Sequence, residues 1–137
     1  MSSKKFKIVF FSFILFLFLS VFSFCLTYNI LEISIDIAPN VINLQQQGQV
    51  LTVHTDIAYS SVEGSTVTLN GLEINYWKSD DRGNFVAKFL TKDIKSLDLI
   101  VGSYNNFILV GTTVSGETFT GEQEILVVNN IPMKKQK

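Results

Sequence analysis

The chain has 137 residues, 47% hydrophobic and 17% charged, with a single cysteine and a single histidine, which excludes an internal disulfide and a zinc centre built from cysteine and histidine ligands. Its formal net charge of −1 hides an asymmetry: Lys4, Lys5 and Lys7 open the chain and Lys134, Lys135 and Lys137 close it, leaving five basic against twelve acidic side chains between them. A domain with that surplus of carboxylates repels nucleic acid, which is bound through clustered lysine and arginine, so no nucleic-acid partner is expected.

The N-terminal lysines precede nineteen residues without a charge, Ile8 to Leu26, and eight of the twelve phenylalanines fall between Phe6 and Phe24. Lysines followed by an apolar run form an export signal or a membrane anchor, and at ~1.5 Å per residue the run is ~28 Å long, just enough to span a bilayer core. Residues 1–27 therefore read as a signal peptide or as an N-terminal membrane anchor with its C-terminal side outside. Ser23 with Cys25 is a small pair that permits a cut before Leu26, Cys25 with Thr27 permits one after Thr27, and the bulky Phe22 and Phe24 fit neither well. Acylation of Cys25 needs a small residue before it; Phe24 stands there, so Cys25 reads as a plain apolar residue of the leader. Both readings place the rest of the chain outside the cytoplasm, secreted or attached to the cell surface, with membrane contact through residues 8–26 if the leader is kept. Loss of Cys25 with the leader leaves no thiol, so no disulfide-linked partner is expected and the fold must rest on its hydrophobic core.

Residues 28–130 read as one β domain. Leu31, Ile33, Ile35 and Ile37 alternate with Glu32, Ser34 and Asp36, the period of a half-buried strand. Pro39 interrupts it, Val41 to Leu44 resumes the extended chain, and Gln45 to Gly48 is a turn. Val50 to Asp56 is the next strand, with Leu51 and Val53 on one face and His54 and Asp56 on the other. Ser65–Leu69 and Leu72–Trp77 flank Asn70-Gly71, the dipeptide that best tolerates the two positive φ angles of a type I′ hairpin turn. Lys78 to Gly83 is a charged loop leading into the strand Asn84–Leu90, and Thr91 to Val101 reads as a short helical turn and then a strand. Phe107–Val114 and Glu122–Val128 form a closing hairpin around Ser115-Gly116, with Gly121 a bulge. Seven or eight strands at intervals of roughly ten residues predict an all-β, antiparallel sandwich of immunoglobulin-like type, with a barrel as the alternative. Residues 131–137 are a basic tail, solvated or touching an anionic surface, and no second apolar stretch predicts a C-terminal anchor.

The segment Ile35-Asp36-Ile37-Ala38-Pro39-Asn40-Val41-Ile42-Asn43-Leu44, with Gly48 and Val53, then Ser65–Gly71, Trp77, Asp80, Gly83 and Phe85–Phe89, resembles a family of exported bacterial and archaeal β-sandwich domains. The similarity covers about Ile33 to Val128 and implies fold and cell-surface location rather than an activity. Many such relatives carry an Asp-x-Asp-x-Asp loop whose alternate oxygens suit calcium, and the corresponding positions here are Asp80, Arg82 and Asn84. Arg82 sets a fixed positive charge where the ion would sit, so Asp80 and Asn84 are disfavoured as calcium ligands. A contact between Arg82 and Asp80 or Asp81 is the expected lock of the loop, and no cofactor is implied.

Other constellations have plainer explanations. His54 and Asp56 are ~6.5–7 Å apart at the backbone, too wide for a dependable base and orienter, and no Gly-x-Ser-x-Gly elbow marks a nucleophile. Trp77, Tyr76, Tyr59 and Tyr104 could stack on sugar rings, but adjacent Tyr76 and Trp77 point to opposite sides of a strand, so one of them faces the core. The carboxylates Glu73, Asp80 and Asp81 read as a solvated face. The expectation is a non-enzymatic exported module for binding or structural display, its partner a surface protein or a polysaccharide. The alternatives are a carbohydrate-binding module using Trp77, self-assembly through sheet edges that Pro39 guards at one side, and a small secreted hydrolase.

Overall fold

The computed structural model describes residues 28–48 and 50–131, and within them the period-two patterning becomes ten strands in two sheets. The leader with Cys25 and its cleavage sites, and the tail beyond Ile131, lie outside the described residues. The larger sheet runs β6 (Leu72–Glu73), β5 (Val62–Leu69), β9 (Ser103–Thr113), β10 (Thr118–Val128). Beyond β10 lie β1 (Ile30–Glu32) at one end and β3 (Val41–Asn43) at the other, both parallel to it. The smaller sheet is antiparallel throughout, in the order β2 (Ile35–Ala38), β4 (Val50–Ala58), β8 (Asn84–Leu90), β7 (Tyr76–Ser79).

The core lies between the sheets. Leu51, Val53, Phe85 and Phe89 from the smaller sheet meet Val67, Leu69, Phe107, Leu109, Phe119 and Ile125 from the larger, all of them buried. Burying each phenylalanine contributes about 1.5–3 kcal/mol, so Phe85, Phe89, Phe107 and Phe119 are the main anchors of a sandwich without a disulfide. Every buried side-chain polar atom among the described residues has a hydrogen-bond partner. At the bulge of β4 between His54 and Ala58, for example, the Thr55 hydroxyl donates to the Phe85 carbonyl at 2.6 Å.

The hairpin at Asn70-Gly71 forms as expected, with φ of 46° and 80° at the two residues. Several other expectations need correction. Leu31 to Ile37 is not one strand: the chain leaves the larger sheet after Glu32 and joins the smaller at Ile35. Because both sheets turn one face to the same core, Ile33, Ile35 and Ile37 keep packing against it across the switch. After a cis Ala38–Pro39 bond the chain returns to the larger sheet as β3. Leu72 to Trp77 divides likewise, since β6 pairs with β5 for two residues and β7 belongs to the other sheet. Lys78 and Ser79 are part of β7, which shortens the charged loop to Asp80–Gly83.

After the short helix α1 (Thr91–Ile94) no strand follows until Ser103. Leu97 and Leu99 still cover the core, but the Asn105 side chain accepts from Ile100 N–H at 2.8 Å and donates to Ile100 C=O at 2.9 Å, taking the groups a ladder would use. Gly121 is not a bulge, because β9 and β10 pair without a slip from Thr118 opposite Thr112 to Val127 opposite Ser103. Its hydrogen makes room instead, as a Cβ there would lie 2.7 Å from Ile35 Cγ2 and 2.9 Å from the Ile33 carbonyl.

Candidate functional site

The turn from β7 to β8 brings Asp80, Arg82 and Asn84 together, and its geometry is set by the Asp80 carboxylate. Asp80 Oδ1 accepts the backbone N–H of Arg82 at 2.8 Å and that of Asn84 at 2.9 Å, while Asp80 N–H donates to the Asn84 carbonyl at 2.9 Å. Gly83 completes the turn at φ 81°. The lock is thus a carboxylate capped by main-chain donors, not the side-chain contact between Arg82 and an aspartate that the sequence suggested. The Asn84 N–H bond holds the Asp80 carboxyl below its ordinary pKa; partial desolvation opposes this, and the Arg82 N–H, the Arg82 charge and His54 add to the lowering. Asp80 Oδ1 thus serves two N–H groups of its own turn. Among the described residues no group of three or more His, Cys, Asp or Glu side chains is arranged to hold a metal.

His54 is exposed on the outer face of the smaller sheet, across from Asp36 on β2 and Val86 on β8, beside a shallow groove shared with Asp56 and the Asp80–Arg82 turn. Asp56 does not serve as its orienter. Its Oδ1 accepts Ser34 N–H at 2.9 Å and its own N–H donates to the Ser34 carbonyl, tying down the chain where it enters β2.

The aromatic residues do not form one platform. Trp77 points inward, half-buried against the core, and its indole lies on Gly64 of β5, where a Cβ would stand 2.5 Å from the indole Nε1. Tyr76, one residue earlier, faces outward and is 53% exposed. Tyr59 stacks on Phe85 with ring centroids 6.3 Å apart at one end of the sandwich, and Tyr104 lies on the outer face of the larger sheet.

That outer face was missed in the sequence. Phe107 and Leu109 of β9 are buried, while Ile108 and Val110, which alternate with them, face outward, 39% and 38% exposed. The signal was available in the unbroken apolar run Phe107–Val110, since a strand with one wet face alternates and this one does not.

No helix among the described residues is long and apolar enough to cross a membrane. The chain matches no protein-family model, and no curated protein or solved structure is significantly similar to it.

Proposed function

We propose that the chain is an exported, non-enzymatic β-sandwich module of immunoglobulin-like type, working outside the cytoplasm in binding or structural display. The observation that carries this reading is how the chemically promising side chains are used. Asp56 is spent on the entry to β2, Asp80 on the turn into β8, and Trp77 on filling the gap over Gly64. A catalytic site needs polar groups that converge on a substrate rather than on their own backbone.

Support for the immunoglobulin-like type comes from strand order. Lettered along the chain, β2-β4-β8-β7 reads A-B-E-D and β3-β10-β9-β5-β6 reads A′-G-F-C-C′, the division of strands found in such sandwiches. Support for export comes from Lys4, Lys5 and Lys7 ahead of the apolar run Ile8–Leu26, and from the resemblance to exported sandwich domains. The test is the intact mass of the chain in the membrane, extracellular and cytoplasmic fractions of its host. A species shortened by the leader and found outside marks a released domain, and a full-length species in the membrane marks an anchored one. A full-length species confined to the cytoplasm sinks the proposal.

A further inference from the structure

The two outer faces of the sandwich differ in a way that the fold does not require. On the smaller sheet, Val86 in the middle of β8 is fully buried between its cross-strand neighbours His54 and Lys78, and the exposed apolar residues of this face, Val50 opposite Leu90 and Tyr76 opposite Lys88, lie at one end of it. Long polar side chains lying over an apolar neighbour are the ordinary way to make a sheet face soluble. Among the described residues the larger sheet lacks this cover. Val41, Leu126 and Tyr104 lie side by side across β3, β10 and β9, with Tyr104 63% exposed, and beyond Asn106 and its partner Glu124 the apolar Ile108 and Val110 are exposed farther along β9. Glu122, the neighbour of Ile108, is drawn to Asn106, whose Nδ2 donates to Glu122 Oε2 at 3.1 Å.

Charge divides in the same way. All five basic residues of the described chain fall between Lys78 and Lys95, in β7, the following turn, β8, α1 and the residue after it. Among the described residues, the outer face of the larger sheet carries Glu32, Glu63, Glu73, Glu122 and Glu124 and no basic residue. Exposed apolar residues set among carboxylates of one charge sign suit a partner that brings the opposite charge. Two copies joined through this face would set glutamates against glutamates, which disfavours a symmetric dimer.

We infer that the outer face of the larger sheet is a docking surface for a basic protein partner, one that presents lysine or arginine around an apolar centre. The inference rests on the reading of the domain as a binding module and names the face and the chemistry it takes. Tyr104 with Leu126 and Ile108 with Val110 supply the apolar contacts, and Glu122 and Glu124 among them, with Glu32 and Glu73 farther out, steer the partner and fix its orientation.

The test uses the isotope-labelled full chain in mild non-ionic detergent, titrated with a synthetic peptide of alternating lysine and valine and followed by amide shifts. Lysine–serine and glutamate–valine peptides separate charge from apolar contact. Saturable shifts centred on Tyr104, Ile108, Val110, Glu122 and Glu124, weakened by salt and absent with both control peptides, are expected. Glu122→Lys with Glu124→Lys weakens binding about tenfold, as does Ile108→Ser, while Lys78→Glu leaves it unchanged; these variants also control for peptide uptake by the detergent. Shifts confined to the smaller sheet or to the β2 and β7 edges, equal binding of the lysine–serine peptide, or no binding overturn the assignment. So do shifts of this face that track chain concentration without peptide, which would mark a second copy as its occupant. The export reading fails separately, on the fractionation result, and binding at another face leaves the module reading standing.

Discussion

The two open sides of the sandwich are closed by the same device made from different materials. On each side a strand leaves one sheet for the other: β1 to β2 and back to β3 on one, β6 to β7 on the other. On each side a buried glycine makes room for the crossing. At Gly121 the space is taken by main chain and β-branched side chains, the Ile33 carbonyl and Ile35, whereas at Gly64 it is taken by one indole, that of Trp77. A gap filled by backbone cannot be relieved by moving a rotamer, while a gap filled by one half-exposed side chain on an edge strand can. The first side should therefore be the rigid one and the second the adjustable one.

The largest effect expected is at the adjustable side. Trp77→Ala removes the whole plug and should cost about 3 kcal/mol, read as a lower denaturation midpoint with little change in slope. A loss too small to measure would mean that the indole does not close that side. Because Trp77 is the only tryptophan, its emission reports this position alone, and soluble glycans should leave it unchanged. A saturable shift with a glycan would revive the carbohydrate-binding reading.

The two glycines give the next comparison. Gly121→Ala should cost about 2 kcal/mol, since its Cβ meets a carbonyl oxygen that belongs to the chain path itself. Gly64→Ala should cost about 1 kcal/mol, because β7 is an edge strand and the indole can swing outward. Adding Trp77→Leu to Gly64→Ala should cost less than the sum of the single changes, and a double-mutant cycle measures the difference. Strict additivity would show that the Gly64 space is not set by Trp77. On the rigid side, Ile37 N–H donates to Gln123 Oε1 at 2.7 Å and so ties β2 to β10 across the sandwich. Gln123→Leu leaves that donor unpaired and should cost about 1–2 kcal/mol, while Gln123→Glu keeps the acceptor and most of the stability.

What could be read from the residues follows from the same contrast. Local chemistry was legible: Asn70-Gly71 needs positive φ at both positions and has it, and Phe85, Ala87 and Phe89 face the core as their spacing requires. The sheet switches were not, because period-two alternation points Ile33, Ile35 and Ile37 at the core whichever sheet holds them. Gly121 was misread because a strand glycine marks either a bulge or a close approach, and only the packed partner decides. The irregularity of the larger sheet lies instead in β5 between Glu63 and Thr68, where the Thr66 hydroxyl accepts Thr112 N–H at 2.9 Å and donates to the Glu63 carbonyl at 2.7 Å. At the candidate site, alternation showed that Tyr76 and Trp77 must part, but not which of them turns inward. The capped carboxylate of Asp80 was hidden because its donors are main-chain groups, which every residue supplies.

That carboxylate offers the smallest and most selective test of the adjustable side. Asp80 holds the turn from which β7 pairs back onto β8, and accepting the Asn84 N–H keeps its pKa below the ordinary carboxylate value. In the unfolded chain the bond is gone and the carboxyl takes up a proton more readily, so the native state gains most when the group is ionised in both states. The contribution is therefore complete above the unfolded pKa and disappears as pH falls through the lowered folded value. Asp80→Asn keeps an oxygen for the two N–H groups but cannot titrate. Its deficit relative to the parent chain should be constant near neutral pH and vanish in acid, with the remaining carboxylates titrating alike in both proteins. Amide exchange should place the acid loosening at Tyr76–Ser79 and leave Ile35–Ala38 on the other side unaffected. A deficit that persists unchanged into acid would mean that shape, not charge, makes the turn. Loosening at Ile35–Ala38 instead would reverse the assignment of which side of the sandwich gives way first.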